Sequence, residues 1–365
     1  MSPTGKIRVL VVDDSAVART LISESLADDP DIEVIATAND AYAARDKILA
    51  LKPDVMTLDI EMPRMDGLTF LKVIMRHRPM PVVILSSSTT DGSAKAFEAL
   101  NSGAVDVFGK PEGPFSLTEG ATLAHKIKAA AEARIRVQPR PGTRSSADQN
   151  IDFHTFNGPF TISNSRAILL LGASTGGTEA LKTILTALPP DLPPICVVQH
   201  IPAQFSGAFA NRLDSLCAME VREARSGDEL TPGLALIAPG GKHLVVRWNG
   251  ARYVAMLNEG PAVHHQRPAV DVLFDSVVKA GGASNCTAAL LTGMGRDGAE
   301  SLLRLHEKGA HTIAQSERTS VVFGMPREAI RIGAASETLD LQDIARELTK
   351  HGRRISNAPA EMTVS

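Results

Sequence analysis

Hydrophobic and polar positions follow a strand–helix alternation that begins near the first residue. In residues 1–110, five short apolar runs rich in β-branched residues are bounded by turn residues and separated by segments of helical periodicity. The predicted strands are 9–12, 33–36, 55–58, 81–85 and 105–108, and the predicted helices between them are 16–27, 41–51, 67–76 and 93–101. This alternation is typical of a parallel sheet with helices on both faces.

A second block with the same alternation follows after an interruption. The interruption contains a predicted helix at 121–136 and the sequence QPRPGTRSS at 138–146, whose composition is that of a linker. The strands predicted beyond it are 167–171, 195–198, 234–237, 244–246, 253–257, 288–291 and 311–314. We therefore predict an α/β protein with two doubly wound parallel-sheet domains. The predicted boundaries are 1–112 for the first domain, 113–165 for the linker, 166–352 for the second domain and 353–365 for a flexible tail.

Composition narrows the classes of protein that fit this pattern. The chain has 365 residues with a net charge of −3, and only 4% are aromatic, so neither a basic surface nor base-stacking platforms for nucleic acid are expected. No apolar run approaches the roughly 18 residues of a membrane span, and the N-terminal residues lack the apolar segment of a signal peptide. The three cysteines are far apart, which suits a reducing compartment. We expect a cytoplasmic protein without membrane insertion.

Three carboxylates are predicted to meet at one edge of the first sheet. Asp13 and Asp14 follow the first strand and Asp59 ends the third, and ligands of doubly wound sheets bind at the carboxyl ends of the strands. An all-oxygen cluster of this kind suits Mg²⁺. Lys110 and Ser86, at two further strand ends, add a positive charge and a hydroxyl. These groups could form and hold an aspartyl phosphate, although each alone is also a common solvated turn residue.

The first domain resembles a response-regulator receiver, which has a flavodoxin-like fold. The matching segments within residues 7–112 are VVDDS at 11–15, LDIEMP at 58–63 and KP at 110–111. The resemblance implies that Asp59 is the phospho-acceptor and that Ser86 and Lys110 are the switch residues. The groups that it implies for Mg²⁺, directly or through water, are Asp13, Asp14, Asp59 and the Glu61 carbonyl.

The second domain contains a glycine-rich turn that is a candidate functional site. The sequence GASTGG at 172–177 matches G-x-S-x-G between an apolar strand and a helical pattern. A sharp turn of this type exposes a nucleophilic serine, here Ser174, beside backbone N–H groups at a helix start. The same geometry also binds phosphate, so both interpretations stay open at this point. The P-loop lysine and the dinucleotide-binding pattern are absent.

A serine nucleophile requires a base and an orienting carboxylate. His200 ends the first strand after the serine's helix, and Asp297 follows a later strand, so both are predicted to reach the same sheet edge. A strand-end histidine is often only a structural hydrogen-bonding residue, and an aspartate before a helix is often its N-cap. The backbone N–H of Met294 is a candidate oxyanion donor. The chain order Ser, His, Asp excludes the α/β-hydrolase fold.

The order Ser, His, Asp in a domain that follows a receiver resembles that of the chemotaxis protein-glutamate methylesterase family, CheB. The catalytic domain of that family is a Rossmann-like α/β serine esterase. The matching segments are GASTGG at 172–177, VQH at 198–200, APGGKH at 238–243, RPAVDVLF at 267–274 and LTGMGRDG at 291–298. The resemblance implies a triad of Ser174, His200 and Asp297, with the Met294 N–H in the oxyanion hole and no cofactor for the esterase reaction. It also implies hydrolysis of glutamate methyl esters on chemoreceptor cytoplasmic helices, deamidation of receptor glutamines, and a chemotaxis-type histidine kinase as phosphodonor.

A hypothesis from another class is a signalling adaptor that binds a receptor or a nucleotide without turnover. The presence of all three triad residue types at strand ends favours the enzyme.

Overall fold

A computed structural model describes residues 5–86, 90–111, 113, 115–135 and 163–357. The N-terminal domain is a five-stranded parallel sheet in the order β2-β1-β3-β4-β5. Its strands are β1 (Ile7–Val12), β2 (Ile32–Ala38), β3 (Val55–Asp59), β4 (Val82–Ser86) and β5 (Asp106–Gly109). Its helices are α1 (Ala16–Ala27), α2 (Ala41–Leu51), α3 (Gly67–His77), α4 (Thr90–Asn101) and α5 (Leu117–Glu132). All five strands and the first four helices were predicted to within three residues at each end.

Helix α5 corrects the predicted domain boundary. It packs against α1, β4 and β5, and its buried residues Leu123 and Ile127 belong to the same hydrophobic cluster as Val9 of β1. The helix begins earlier than its apolar periodicity indicated because Ser116 and Glu119 form a capping box. It completes the first domain, so the boundary predicted at 112 is too early. The predicted linker segment 138–146 lies outside the described residues.

The C-terminal domain has a seven-stranded parallel sheet in the order β14-β13-β12-β6-β7-β9-β8. Its strands are β6 (Ile168–Ala173), β7 (Ile195–Gln199), β8 (Glu220–Glu223), β9 (Leu234–Ile237), β12 (Cys286–Leu290), β13 (His311–Gln315) and β14 (Glu337–Leu339). The antiparallel hairpin of β10 (His243–Trp248) and β11 (Tyr253–Asn258) is separate from this sheet. The helices are α6 (Gly177–Leu185), α7 (Ala203–Asp214), α8 (Val270–Lys279), α9 (Ala299–Glu307), α10 (Met325–Arg331) and α11 (Leu341–Asn357).

Three features of this domain differ from the sequence predictions. The strands β8 and β14 were not predicted, because both are short edge strands that contain charged residues and lack an apolar run. Helix α11 extends to Asn357, five residues beyond residue 352, at which we predicted the domain to end and the tail to begin. Ile355 and Ser356 are buried, and the Ser356 carbonyl accepts hydrogen bonds from the backbone of Ser163 and Asn164. This contact fixes the end of the helix to the start of the domain.

The central strands are buried on both faces, as expected when helices cover both sides of a parallel sheet. Every residue of β6, β7 and β12 is buried, which explains their continuous apolar runs. These three strands are neighbours, so their carboxyl ends form one short stretch of sheet edge. Of the helices in the described residues, none combines the length and apolar character of a membrane span.

The two domains pack against each other through α4 of the first and helices α6 and α7 of the second. The Phe97 ring of α4 stacks on Phe209 at a centroid distance of 5.7 Å and meets Phe205 edge-on at 6.5 Å. All three rings are buried. This contact places the first domain against the carboxyl edge of the second sheet.

Candidate active site

Ser174 lies on the turn between β6 and α6, and close backbone packing fixes that turn. Its backbone N–H donates to the Thr292 carbonyl at 2.9 Å, which joins the turn to the loop after β12. A methyl group added to Gly172 would lie 2.4 Å from Cγ1 of Val270, and one added to Gly293 would lie 2.6 Å from Cβ of Ser174. Neighbouring atoms approach both backbones too closely for a side chain, so glycine is required at both positions.

The structure brings the three predicted triad residues into one hydrogen-bonded chain. His200 Nδ1 is 3.0 Å from Ser174 Oγ, and His200 Nε2 is 2.8 Å from Asp297 Oδ2. All three residues are buried. In this arrangement Nδ1 can accept the serine proton while Nε2–H donates to the carboxylate, which are the roles of base and orienting carboxylate.

Asp297 also accepts hydrogen bonds from the N-terminus of a second helix. The backbone N–H groups of Val270 and Asp271, at the start of α8, donate to its two carboxylate oxygens at 2.7 Å and 3.0 Å. Burial alone would raise the pKa of Asp297, but the hydrogen bond and charge of His200 and these N–H groups lower it below its ordinary value. The sequence alternative of an N-cap for the following helix α9 is not the arrangement found, since Gly298 holds that position.

The backbone around the serine is positioned by two further contacts. Gln199 Nε2 donates to the carbonyls of Ser174 and His200, at 2.9 Å and 3.3 Å, so it holds two triad residues in register. Met294 follows Gly293, whose backbone lies against the Ser174 side chain. The candidate oxyanion donor is therefore in a segment adjacent to the nucleophile.

The first domain covers this site. A cleft of about 620 Å³ between the domains is lined by His200 and His265 from one side and by Lys110 and Lys126 from the other. His125 of α5 is also close to the triad. Its pKa falls to about 4, mainly because burial disfavours its charged form and secondly because of His200.

A buried polar contact joins the domains next to the nucleophile. The hydroxyl of Thr175, the residue after Ser174, donates to Asp106 Oδ2 at 2.7 Å. Asp106 Oδ1 in turn accepts from Lys126 Nζ at 2.7 Å, and all three side chains are buried. Sequence reasoning missed Asp106, Lys126 and His125, because nothing in the first domain's own pattern indicates which of its residues face another domain.

The three carboxylates at the edge of the first sheet lie close together. Carboxylate oxygens of Asp13, Asp14 and Asp59 lie within 4.8 Å of one another. Lys110 Nζ is 2.7 Å from Asp13 Oδ2 and 2.9 Å from Asp59 Oδ1. The donor set is all oxygen and carries three negative charges against one lysine, which fits a small hard cation such as Mg²⁺.

The remaining predicted residues lie at the same edge. Ser86 ends β4 and is buried, and its carbonyl accepts the Lys110 backbone N–H at 2.9 Å. The Glu61 backbone N–H donates to Asp59 Oδ1 at 3.3 Å. Burial raises the pKa of Asp59 above its ordinary value, with a further contribution from Asp13, while Lys110 acts in the opposite direction. The acidic site therefore holds Asp59, at the end of β3, beside its lysine.

Known proteins resemble the chain over almost its whole length. The family model described as CheB methylesterase matches residues 169–348, and that of the response regulator receiver domain matches residues 9–122. A protein of Syntrophus aciditrophicus named protein-glutamate methylesterase/protein-glutamine glutaminase 2 is 50% identical, covering 94% of this chain and 99% of its own. A Cupriavidus metallidurans protein named protein-glutamate methylesterase/protein-glutamine glutaminase 1 is 47% identical over 95% of this chain and 96% of its own.

Among solved structures, the CheB methylesterase catalytic domain of Thermotoga maritima is 37% identical, with a TM-score of 0.49. It covers 50% of this chain and 97% of its own.

The geometry predicts a large effect of Asp297→Asn on the reactivity of Ser174. Asparagine cannot hold His200 in the tautomer that accepts the serine proton, so covalent labelling of Ser174 by a fluorophosphonate probe should slow by about 10³–10⁴-fold. Labelling rates measured by mass spectrometry test this. Asp271→Asn is the matched control, because Asp271 neighbours Asp297 but does not contact His200. An equal slowing in both variants would contradict a specific role for Asp297.

Proposed function

The chain belongs to the CheB methylesterase family and carries a response regulator receiver domain, and we propose that it is a phosphorylation-activated serine hydrolase of chemoreceptors. Its substrates are glutamate methyl esters on methyl-accepting chemotaxis proteins, its products are glutamate and methanol, and its role is adaptation in chemotaxis. The observation that carries the proposal is the hydrogen-bonded chain Ser174–His200–Asp297 in a cleft that the receiver covers.

In the acylation step, Ser174 Oγ attacks the ester carbonyl while its proton moves to His200 Nδ1. Asp297 accepts the Nε2–H hydrogen bond and stabilises the imidazolium that forms. The N–H of Met294 donates to the oxyanion of the tetrahedral intermediate. The carbon–oxygen bond to the methoxy group then breaks, and His200 returns the proton so that methanol leaves.

Deacylation repeats these steps with water as the nucleophile. His200 takes a proton from a water molecule while the water oxygen attacks the acyl carbon. The proton then moves to Ser174 Oγ when glutamate is released. A glutamine side chain can enter the same cycle and release ammonia. Its amine leaving group must be protonated to leave, which makes the acid role of His200 more demanding. We include this deamidation as a second activity of the same triad.

Phosphorylation takes place at Asp59 of the receiver. A phosphoryl group passes from a histidine kinase to an Asp59 carboxylate oxygen, so that a new phosphorus–oxygen bond forms and the bond to the kinase histidine breaks. Asp13, Asp14, Asp59 and the Glu61 carbonyl would hold Mg²⁺, which neutralises charge on the phosphoryl oxygens when bound. Lys110 pairs with the phosphoryl group, and the Ser86 hydroxyl donates to it.

Regulation follows from the position of the receiver over the triad. Lys110 is bound to Asp13 and Asp59 and also lines the shared cleft, so a new charge on Asp59 changes groups that face the catalytic domain. Asp106 and Phe97 make the inter-domain contacts. Asp106 lies on β5, which Lys110 directly follows, and Phe97 lies on α4, the helix between β4 and β5. Phosphorylation therefore weakens this interface and opens the cleft to a receptor helix.

We further propose a cytoplasmic location, because the proposed substrate is the cytoplasmic helices of chemoreceptors and the proposed phosphodonor is a chemotaxis-type kinase. All three cysteines, Cys196, Cys217 and Cys286, are unpaired, as suits a reducing compartment.

The central test is methanol release from methylated receptor. The wild-type protein should release methanol and Ser174→Ala should reduce the rate by at least about 10³-fold, because the nucleophile is removed while the packing around it is kept. Phosphorylation of Asp59 in the variant, measured with a labelled small phosphodonor, is the control for folding. A wild-type protein that binds receptor without releasing methanol would favour the non-catalytic adaptor instead.

The regulatory scheme is tested by Asp59→Asn. A small phosphodonor in the presence of Mg²⁺ should raise the methanol-release rate of the wild type, and this stimulation should be absent in the variant because its side chain cannot accept the phosphoryl group. Removal of Mg²⁺ with a chelator should abolish stimulation of the wild type as well. Equal stimulation of variant and wild type would contradict the assignment of Asp59.

The inter-domain contact is tested by Phe97→Ala. Loss of a buried aromatic ring typically lowers stability by about 3–5 kcal/mol. A loss of only about 1.4 kcal/mol at this interface shifts the equilibrium between the closed and open domain arrangements tenfold. The methanol-release rate without phosphodonor should therefore rise by about tenfold or more. Leu49→Ala on α2, at a 57% exposed position away from the interface, should leave the rate unchanged. An unstimulated rate equal to that of the wild type would contradict inhibition by the closed receiver.

A further inference from the structure

Thr292 connects the proposed nucleophile to the proposed oxyanion donor. It lies two residues beyond the end of β12, directly before Gly293 and Met294, and it is 1% exposed. Its backbone carbonyl accepts the Ser174 N–H at 2.9 Å. The steps of the proposed mechanism do not involve its side chain.

The Thr292 hydroxyl is bonded to two separate backbone segments. It donates to the Thr175 carbonyl at 3.0 Å, with the Val322 carbonyl as a second acceptor at 3.1 Å, and it accepts the Val322 N–H at 3.0 Å. Thr175 and Val322 are both buried. One hydroxyl therefore links the turn that carries Ser174 to the loop that precedes α10.

The loop before α10 in turn holds the segment that carries the proposed oxyanion donor. The Gly293 N–H donates to the Val322 carbonyl at 3.0 Å, and the Gly293 carbonyl accepts from the N–H groups of Gly324 and Met325 at 3.0 Å and 2.8 Å. The Gly293 carbonyl and the Met294 N–H belong to one planar peptide group. Bonds that fix the direction of the carbonyl therefore also fix the direction of the N–H.

A buried glutamine holds the backbone of Thr292 from the other side. Gln315 is the last residue of β13 and is fully buried, and its Oε1 accepts the Thr292 N–H at 2.8 Å. The carbonyl, the N–H and the hydroxyl of Thr292 thus all have protein partners. Such complete pairing is typical of residues that hold a site in one geometry.

The proposed reaction needs this geometry to be exact. Ser174 Oγ attacks the carbonyl carbon of the ester while the Met294 N–H binds the oxygen of the same carbonyl, so the two groups must keep a fixed separation. A displacement of about 1 Å in a site of this kind can slow the reaction by about 10²-fold. Thr292 bonds to the serine turn through its carbonyl and hydroxyl, and its own chain continues into Gly293 and Met294.

We propose that Thr292 is a positioning residue whose hydroxyl sets the separation between Ser174 and the Met294 N–H. The inference rests on the proposed serine hydrolase function, to which it adds a residue that acts on the rate of acylation without contact to substrate. Loss of the hydroxyl leaves the buried Val322 N–H without its acceptor, so the loop before α10 and the oxyanion segment shift relative to the serine.

Thr287 provides a matched control on the neighbouring strand. It belongs to β12 and is fully buried, as Thr292 nearly is. In the part of the chain that the structure describes, its hydroxyl has no hydrogen-bond partner. Valine has the shape of threonine but lacks the hydroxyl, so Thr287→Val makes the same chemical change as Thr292→Val and breaks no hydrogen bond.

The test compares Thr292→Val with the wild type in the presence of phosphodonor and Mg²⁺, which open the cleft. Methanol release from methylated receptor gives kcat and KM, and labelling of Ser174 by a fluorophosphonate gives a rate that does not depend on the receptor. The kcat and the labelling rate should both fall by about 10–100-fold. KM should stay within about twofold, because the lost interaction acts only in the transition state. Thr287→Val should match the wild type in all three quantities.

The pair Thr292→Ser and Thr292→Ala isolates the hydroxyl from the methyl group, and it decides the question if Thr292→Val does not fold. The serine variant should label within about threefold of the wild type, and the alanine variant at least about tenfold more slowly than the serine variant. Equal labelling rates in this pair would overturn the proposal. A lower Tm of Thr292→Val with an unchanged labelling rate would also overturn it, because a purely stabilising threonine gives that result.

The two readouts separate this proposal from the proposed function. A wild-type protein that is labelled at Ser174 but releases no methanol would contradict the proposed substrate. The ratio of labelling rates between the variants and the wild type would still decide the role of Thr292.

Discussion

The buried carboxylate of Asp297 holds three elements of the catalytic domain together. It accepts hydrogen bonds from His200 at the end of β7 and from two backbone N–H groups at the start of α8, while its own chain continues from β12. These contacts compensate for its burial and keep it charged beside the histidine. The loop that carries Asp297 also brings Gly293 against Ser174. The alignment of nucleophile and base therefore depends on one buried anion with all its main partners in place.

The parts of the structure that the sequence predicted are those determined by local pattern and by sheet topology. Apolar runs indicate the central strands, and the rule that ligands bind at the carboxyl ends of parallel strands predicts that Ser174, His200 and Asp297 lie close together. The edge strands β8 and β14 have too few apolar residues to give such a signal. The capping box at Ser116 could have indicated that α5 begins at residue 117, although only its packing assigns it to the first domain.

Contacts between distant segments were beyond sequence reasoning. Thr175 lies inside a recognised motif, but its partner Asp106 is 69 positions away and has no motif of its own. Likewise, His311 of β13 stacks on His351 of α11, although 40 positions separate them in the chain. In both cases the residues are brought together by the packing of whole elements, which a single sequence does not specify.

The contact of Phe97 with Phe205 and Phe209 has a consequence for how control depends on protein amount. The receiver that covers the triad is part of the same chain, so its effective concentration at the catalytic domain is set by the connecting segment and not by expression level. An inhibitor encoded as a separate protein would leave part of the enzyme uninhibited whenever the cell made less inhibitor than enzyme. In the proposed scheme every copy of the enzyme is synthesised with its own inhibitor, so the ratio of inhibited to active enzyme follows the phosphorylation of Asp59 and not the amount of protein.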